Sequence, residues 1–519
     1  MKKNINKSWM PSSLILVVLM TACIGDLDVA PLDSTITTSA NVYSTTETYK
    51  AGLAKLYAAF ALTGQQGPSG AGDVAGVDEG FSDFIRSLWN MQELTTDEAV
   101  WTYPNDANGT IFNLHYNNWL PSDIIPTALF ARIMNVAALT NEFIRATSSK
   151  LSDPEIKRFQ AEARFLRALA YYYGMDLYGK LPFVTEADLP GAYFPPQKSR
   201  EELYAFIEAE LLAVKPELGE PRFEYGRADK GVCAMLLAKL YLNTEVYLGS
   251  GQTKYTEAIT QLNEVIAGGY SLSPKYLNNF LADNHASPEI IFAQLFDGTR
   301  SQAYDALNVM IYGNAGNGGW SGLRTTSAFV NKFTNANEAR ALFAKEDKGQ
   351  ALEIDAVNSS NQGYGVFKFR NVTSTGAAGS NPSFQDTDYP MFRLADAYLM
   401  YAEAVLRGGT GGNLTTALNY VNAIRTRPAD VTAGNAPGAI TSGQLTLDFI
   451  LDERARELYW EAHRRTDLIR FGKYTGNSYL WPWKGGVKAG AGIEAKRALF
   501  PIPAADLASN PNLTQNTGY

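Results

Sequence analysis

Apolar residues Phe159, Ala163, Leu166, Ala170 and Tyr173 recur at steps of 4, 3, 4 and 3, which traces one stripe of an α-helix. Arg158 and Glu162 stand a turn apart off that stripe, and Arg164 and Arg167 do likewise, so another face is charged. Three consecutive tyrosines, Tyr171 to Tyr173, make the helix aromatic on more than one side, and neighbours are expected on several faces. Gly179 and then Leu181-Pro182 stop it, because the residue before a proline is pushed out of the helical region.

The same reading predicts helices over 46–62, 122–146, 153–178, 199–214, 229–247, 255–266, 390–407, 414–425 and 447–471. In 255–266 the residues Tyr255, Ala258, Ile259, Leu262, Val265 and Ile266 share one face, closed by Gly268-Gly269. Pairs of such helices joined by short turns look like tetratricopeptide-type units, although no strict repeat period is present. From about 271 to 389 the periodicity gives way to Gly, Asn and Ser with scattered aromatics, and 64–80 is a glycine-rich loop. The fold class is therefore mainly α, a tetratricopeptide-like scaffold of helical pairs overlaid by long loops and short strands. Binding residues tend to sit on such loops.

The N-terminus changes the picture. Residues 1–22 have a basic start, a short apolar run at 14–20 and small residues before Cys23, the pattern of a signal peptide too short to span a bilayer. Met20-Thr21-Ala22-Cys23 resembles a lipobox, which would make Cys23 the lipidated first residue, with Met in place of the usual Leu. Several acyl chains, palmitate among them, on one cysteine would hold the protein to a membrane without a spanning helix. Asp26 and Asp28 follow closely, like an acidic surface-export tether. Loss of Lys2, Lys3 and Lys7 with the leader takes the net charge from −8 to −11. That balance argues against nucleic acid and anionic lipid as partners and suits an uncharged ligand. Cys233 lies in an apolar helical run and reads as a small buried hydrophobe, so neither a disulfide framework nor a cysteine metal site is expected.

Candidate catalytic chemistry is thin. Asp97 and Glu98 are adjacent, so they do not face one another across a sugar as a glycosidase pair must. They are expected to brace the segment around Trp101. His115, His285 and His463 are far apart, and no paired-histidine metal motif or serine triad can be assembled from them. Glu457, Glu461 and Arg465 recur every four residues, with Asp452 a turn from Arg456, which predicts intrahelical ion pairs of a few tenths of a kcal/mol.

Several blocks in order carry a family resemblance: 161–184, Cys23-Ile24-Gly25-Asp26-Leu27-Asp28, and GRADKGVCAMLLAKLYLN at 226–243. DYPMFRLADAYLMYAEA at 388–404, LDERARELYWEAHRRTDLIRFGKY at 451–474 and LFPIPAADLASNPNLTQNTGY at 499–519 complete the set. The chain resembles the SusD/RagB family, cell-surface glycan-binding lipoproteins of Bacteroidota nutrient uptake. The resemblance implies one domain over 23–519, with irregular ligand-binding loops around 64–120 and 271–389 and an ordered irregular tail at 499–519. It also implies a non-catalytic role at the outer membrane, with a SusC-like TonB-dependent transporter as partner.

GQQG at 64–67, VDEGFSDFIRS at 77–87, ELTTDEAVWTY at 93–103 and SYLWPWKGG at 478–486 are most similar to the family's starch-binding member. Carried over from it, an aromatic arc of Trp101, Tyr103, Tyr304 and Trp320 would cradle an α-glucan, with Arg86 and Asp106 binding hydroxyls. Tyr103 stands where that relative has Trp, and Asp106 where it has Asn. The chemistry is sound, because a pyranose has an apolar C–H face that packs on a ring and hydroxyls that need directional partners. Trp101 and Tyr103, two apart, would project to one side of an extended segment. Trp481 and Trp483 are expected to be structural. Asp386 and Asp388 match part of the relative's calcium site, but Asn284-His285-Ala286 replaces its other ligands, so they are weak candidates and no cofactor is expected. A SusD-like binder of another glycan, a glycoside hydrolase and a structural scaffold are the alternatives.

Overall fold

The computed structural model describes residues 42–519 apart from 65, 189–190, 192, 314–318, 336–337 and 428–434. The signal-peptide candidate 1–22 and the lipidation candidate Cys23 lie outside the described residues. Among the described residues, eleven helices have seven residues or more. They are α1 (Thr46–Ala58), α2 (Phe84–Glu93), α3 (Ile124–Thr147), α4 (Pro154–Tyr178), α5 (Arg200–Val214) and α6 (Lys230–Leu242). Then follow α7 (Tyr255–Ala267), α8 (Leu394–Leu406), α9 (Leu414–Arg425), α10 (Leu447–Leu458) and α11 (Arg464–Arg470). Helices α3, α4 and α5 pack in succession, as do α6, α7, α8 and α9, with α1 on α4 and α10 on α8. The described strands form four two-stranded antiparallel ribbons.

Helix α4 shows why the scaffold holds. The Asp153 side chain accepts from Glu155 N at 2.8 Å, and Pro154 opens the helix where its missing N–H costs nothing. Gly179, at φ 75°, ends it, and a Cβ there would come within 2.9 Å of the Leu499 side chain. The predicted stripe is buried, and so is much of the charged face. Glu162 accepts from Tyr57 Oη at 2.7 Å and from Arg227 Nε at 3.0 Å, while Arg167 bridges Glu186 and Glu210. Packing on all sides, signalled by the tyrosines, overrides the polar pattern.

Four predicted boundaries are corrected. Helix 229–247 breaks at Asn243, whose amide donates to Lys239 O at 2.8 Å and competes with the helical ladder. Residues 390–393 belong to strand Tyr389–Arg393, paired with Ile290–Gln294, and not to a helix. Span 447–471 is two helices, because Trp460 (φ 63°) and Ala462 (φ 59°) turn the chain sharply between α10 and α11. Inside the expected loop region 64–120 lies α2, capped by the Asp83 side chain, which accepts from Arg86 N at 2.9 Å. Its Trp89 donates to Trp460 O at 3.0 Å, docking α2 onto that sharp turn.

The C-terminal acids do not form surface ion pairs along one helix. Glu457 and Glu461 are fully buried and face other segments. Arg393 donates to Glu457 at 2.7 Å, to Glu461 at 2.6 Å and to Glu289 at 2.7 Å. Arg340 meets Glu453 and Glu457 at 2.9 Å, and Lys368 meets Glu461 at 2.6 Å. Asp452 pairs with Lys332 at 2.7 Å, and Arg456 with Glu453 at 2.7 Å. The turn at Trp460 is what lifts Glu461 off the line of α10 and aims it at Arg393 and Lys368.

Burial alone would raise the acids, but the facing arginines override it and hold Glu453, Glu457 and Asp467 down at about 2. Folded values below the unfolded 4.5 and 3.8 mean this stability is present above about pH 4.5 and lost as pH falls towards about 2. Burial pushes Glu93 and Asp305 the other way, up to about 7, so they cost stability as pH rises to that point. The urea midpoint is therefore expected to peak at about pH 4.5, to fall steeply on the acid side and to decline gradually up to about pH 7. A midpoint flat down to about pH 3 would contradict this.

The tail 499–519 is ordered, as expected, and includes a short helix, Ala504–Ser509. Phe500 N donates to Leu177 O at 2.8 Å and Asn516 Nδ2 to Tyr178 O at 2.8 Å. Phe500 stacks on Trp119 at 4.4 Å. The terminal Tyr519 hydroxyl accepts from Trp119 Nε1 at 2.7 Å and donates to Leu499 O at 2.8 Å.

Candidate functional site

The Asp83 cap puts Arg86 in the first turn of α2, where it is only 6% exposed. Its Nη1 donates to Tyr304 O at 2.9 Å and to Gly80 O at 3.2 Å, so one side chain staples together loops 218 residues apart in sequence. The guanidinium lies 5.3 Å from the Trp320 ring centroid, a cation–π contact. Trp320 in turn packs at 5.9 Å on Tyr304, and Tyr304 at 5.7 Å on Phe384. Trp320 N donates to Asn308 O at 2.9 Å, which fixes the backbone beneath the ring. Phe384 had no signal in the sequence beyond being an aromatic among loop residues.

The opposite wall grows from strand Val100–Trp101, which pairs with Leu323–Arg324. Trp101 and Tyr103 do project to one side, and their rings meet edge-on at 5.5 Å. They differ in exposure. Trp101 is 2% exposed and Tyr103 is 43% exposed, so Trp101 props the ring that Tyr103 presents. Gly322 lies against both, and a Cβ there would come within 2.9 Å of each ring. Thr102 N and Oγ1 each donate to Gly322 O at 2.9 Å and lock that approach. Asp106 is half-buried in the turn Asp106–Gly109, where Ala107 and Asn108 hold left-handed φ values of 49° and 52°. Arg86, Trp101 and Asp106 line one narrow cleft of about 20 Å³ with Phe81, Ala107 and Val309. Arg86, Tyr304 and Trp320 thus form one contact group and Trp101 with Tyr103 another, and the cleft that Arg86, Trp101 and Asp106 line lies between them.

The nearby acids are occupied. Asp97 accepts from Arg464 at 2.7 and 2.9 Å and from Tyr479 at 2.6 Å; burial would raise it, but Arg464 holds it down at about 2. Glu98 accepts from Trp460 N at 3.0 Å, and burial followed by the neighbouring Glu93 charge raises it. Both brace the base of the Trp101 strand against the turn at Trp460. Trp481 is buried, and Trp483 donates to Ile354 O at 2.9 Å.

Asp386 and Asp388 do not fit a calcium ion. Asp386 accepts from Gly298 N at 2.8 Å and from Ser380 N and Oγ, and Asp388 accepts from Phe296 N and Tyr225 Oη at 2.9 Å. All four carboxylate oxygens therefore face protein donors, whereas calcium requires six or more free oxygen ligands. Among the described residues no group of three or more His, Cys, Asp or Glu could hold a metal.

A model described as the SusD family matches residues 349–519. The starch-binding protein SusD of Bacteroides thetaiotaomicron is 33% identical over 578 aligned positions that cover all of both chains. The solved structure of a SusD homologue from Bacteroides thetaiotaomicron superposes with a TM-score of 0.71 at 20% identity, covering 93% of this chain and 99% of the other. Surface glycan-binding protein A of the same organism, solved in complex with laminarihexaose, gives 0.69 at 18% identity over 91% of this chain and 100% of its own. On full-length identity to SusD and a matching helical scaffold, the chain belongs to the SusD family.

Proposed function

We propose that the protein is a non-catalytic, cell-surface glycan binder that captures an α-glucan of the starch type and passes it to a TonB-dependent outer-membrane transporter. Lipid on Cys23 would hold it to the membrane. The observation that carries the reading is the aromatic platform of Tyr103, Tyr304 and Trp320 around Arg86. Outward rings supply faces for pyranose C–H surfaces, while Arg86 and Asp106 supply a donor and an acceptor for hydroxyls. Full-length identity to a starch-binding protein supports the α-glucan in particular. A shallow site dominated by stacking binds weakly, with Kd in the micromolar to millimolar range, about 4 to 8 kcal/mol.

Affinity electrophoresis of the chain from residue 24, in gels containing amylopectin, pullulan, dextran, laminarin or inulin, tests it. Retardation in amylopectin and pullulan alone is expected. Retardation only in laminarin would move the ligand to a β-glucan, and no retardation in any gel would overturn the reading. Gly322→Ala gives a second test, at a residue that is not itself a predicted ligand contact but supports two that are. Its Cβ drives Trp101 and Tyr103 apart, and amylopectin affinity is expected to fall about tenfold. Unchanged affinity would remove Tyr103 from the platform.

A further inference from the structure

Beside the platform lies a groove of about 730 Å³ between the side of α1, the glycine-rich loop and the loop that leads to Tyr304. Its lining includes Ala54, Lys55, Gln66, Asp73, Arg300 and Gln302. Two features make it continuous with the platform. Gln302 and Tyr304 flank the buried Ala303 and are each partly exposed, and Gln302 Nε2 donates to Gly298 O at 2.9 Å with its second N–H left for the groove. Arg132 pairs with Asp73 on the groove wall and donates to Ser82 O at 2.9 Å at the base of α2, tying the groove to the loop that Arg86 anchors. The chemistry of the groove differs from that of the platform. No ring lines it; amide, ammonium and guanidinium donors do, over a floor of small side chains that leaves room for a chain. Arg300 is largely exposed and only loosely paired with Asp297, at 3.9 Å.

We infer that this groove is an extension subsite that takes the continuation of the same glycan chain, through hydrogen bonds to its hydroxyls. The inference rests on the glycan reading above. It commits to a polysaccharide that stacks on the platform with a few residues and runs on along the groove. The protein should therefore bind long chains more tightly than short ones, beyond the statistical gain from repeated sites.

Isothermal titration with maltohexaose and with size-fractionated amylose, and in parallel with laminarihexaose and laminarin, separates the two claims. Two variants are compared with wild type: Arg300→Ala with Gln302→Ala, which removes donors, and Ala54→Met on the exposed face of α1, which narrows the groove. Melting temperatures report that both fold. Affinity for the long chain, per binding site, is expected to fall about fivefold in both variants, the scale of one net hydrogen bond, with hexaose affinity unchanged. Long-chain affinity equal to wild type in both variants overturns the groove. Equal losses for hexaose and long chain also overturn it, because the substitutions would then act through the platform. Wild type that binds neither hexaose is the failure of the glycan reading itself.

Discussion

Replacing Trp320 by alanine is expected to weaken glucan binding by about 10- to 100-fold, the loss of one stacked indole face. The fold should survive. Trp320 is only partly buried, and its backbone is held by the hydrogen bond to Asn308 O, which the substitution leaves in place. What disappears is the ring that lies over Arg86 and beside Tyr304. Titration with maltohexaose together with a melting curve checks both halves of the statement. Trp101→Ala makes the informative contrast. Trp101 is buried against Gly322 and Tyr103, so its truncation leaves a cavity worth about 3 to 5 kcal/mol and should lower the melting temperature as well as the affinity. Wild-type affinity in Trp320→Ala would show that the platform is misplaced. A Trp101→Ala protein as stable as wild type would mean the ring is not the prop described.

Arg393→Ala is expected to be the most damaging single substitution in the scaffold. Five hydrogen bonds leave this one guanidinium, to Glu289, Glu457 and Glu461 side chains and to Glu457 O, and none of these groups sees solvent. Removing it takes the central partner from three buried carboxylates, leaving Glu457 to Arg340 and Arg427, Glu461 to Lys368 and Glu289 to Arg427. The cost is about 3 to 5 kcal/mol against a total stability of about 5 to 15. The expected result is a chain that fails to fold or melts far below wild type. Arg393→Lys keeps the charge but loses the planar fork, and should fall between the two. A loss under about 1 kcal/mol, measured by urea unfolding, would show that the network contributes no more than surface pairs do.

The helical scaffold was legible because its stripes are local. Residues 414–425 were bounded from sequence as they stand in α9, and the ends of α4 were marked by Asp153, Pro154 and Gly179. Strand Tyr389–Arg393 was not legible, because a short apolar run reads equally as a buried strand or a helix start, and its partner lies about 100 residues away. The break at Tyr459 was hidden for another reason. Trp460 and Ala462 adopt left-handed angles that neither residue favours, and docking with Trp89, Glu98 and Glu93 from distant segments holds them there. Charge patterning misled at Glu457 and Glu461, since spacing along one helix carries no information about arginines arriving from other segments. At the site, the six residues came through the family resemblance. Gly322 and Phe384 did not, because close approach to a ring is a property of two chain segments together.

The closure of the tail has a consequence for how the molecule is made. Its last residue, Tyr519, sits in a hydrogen-bonded niche with Trp119 and Leu499, and Asn516 supplies the partner for the end of α4. The contacts with Trp119 and with the end of α4 join segments 400 and 338 residues apart in sequence, and contacts of that span form after the local helix pairs have packed. The docked segment is thus a late-closing latch, and substitutions in its niche at Trp119 should speed unfolding more than they slow folding.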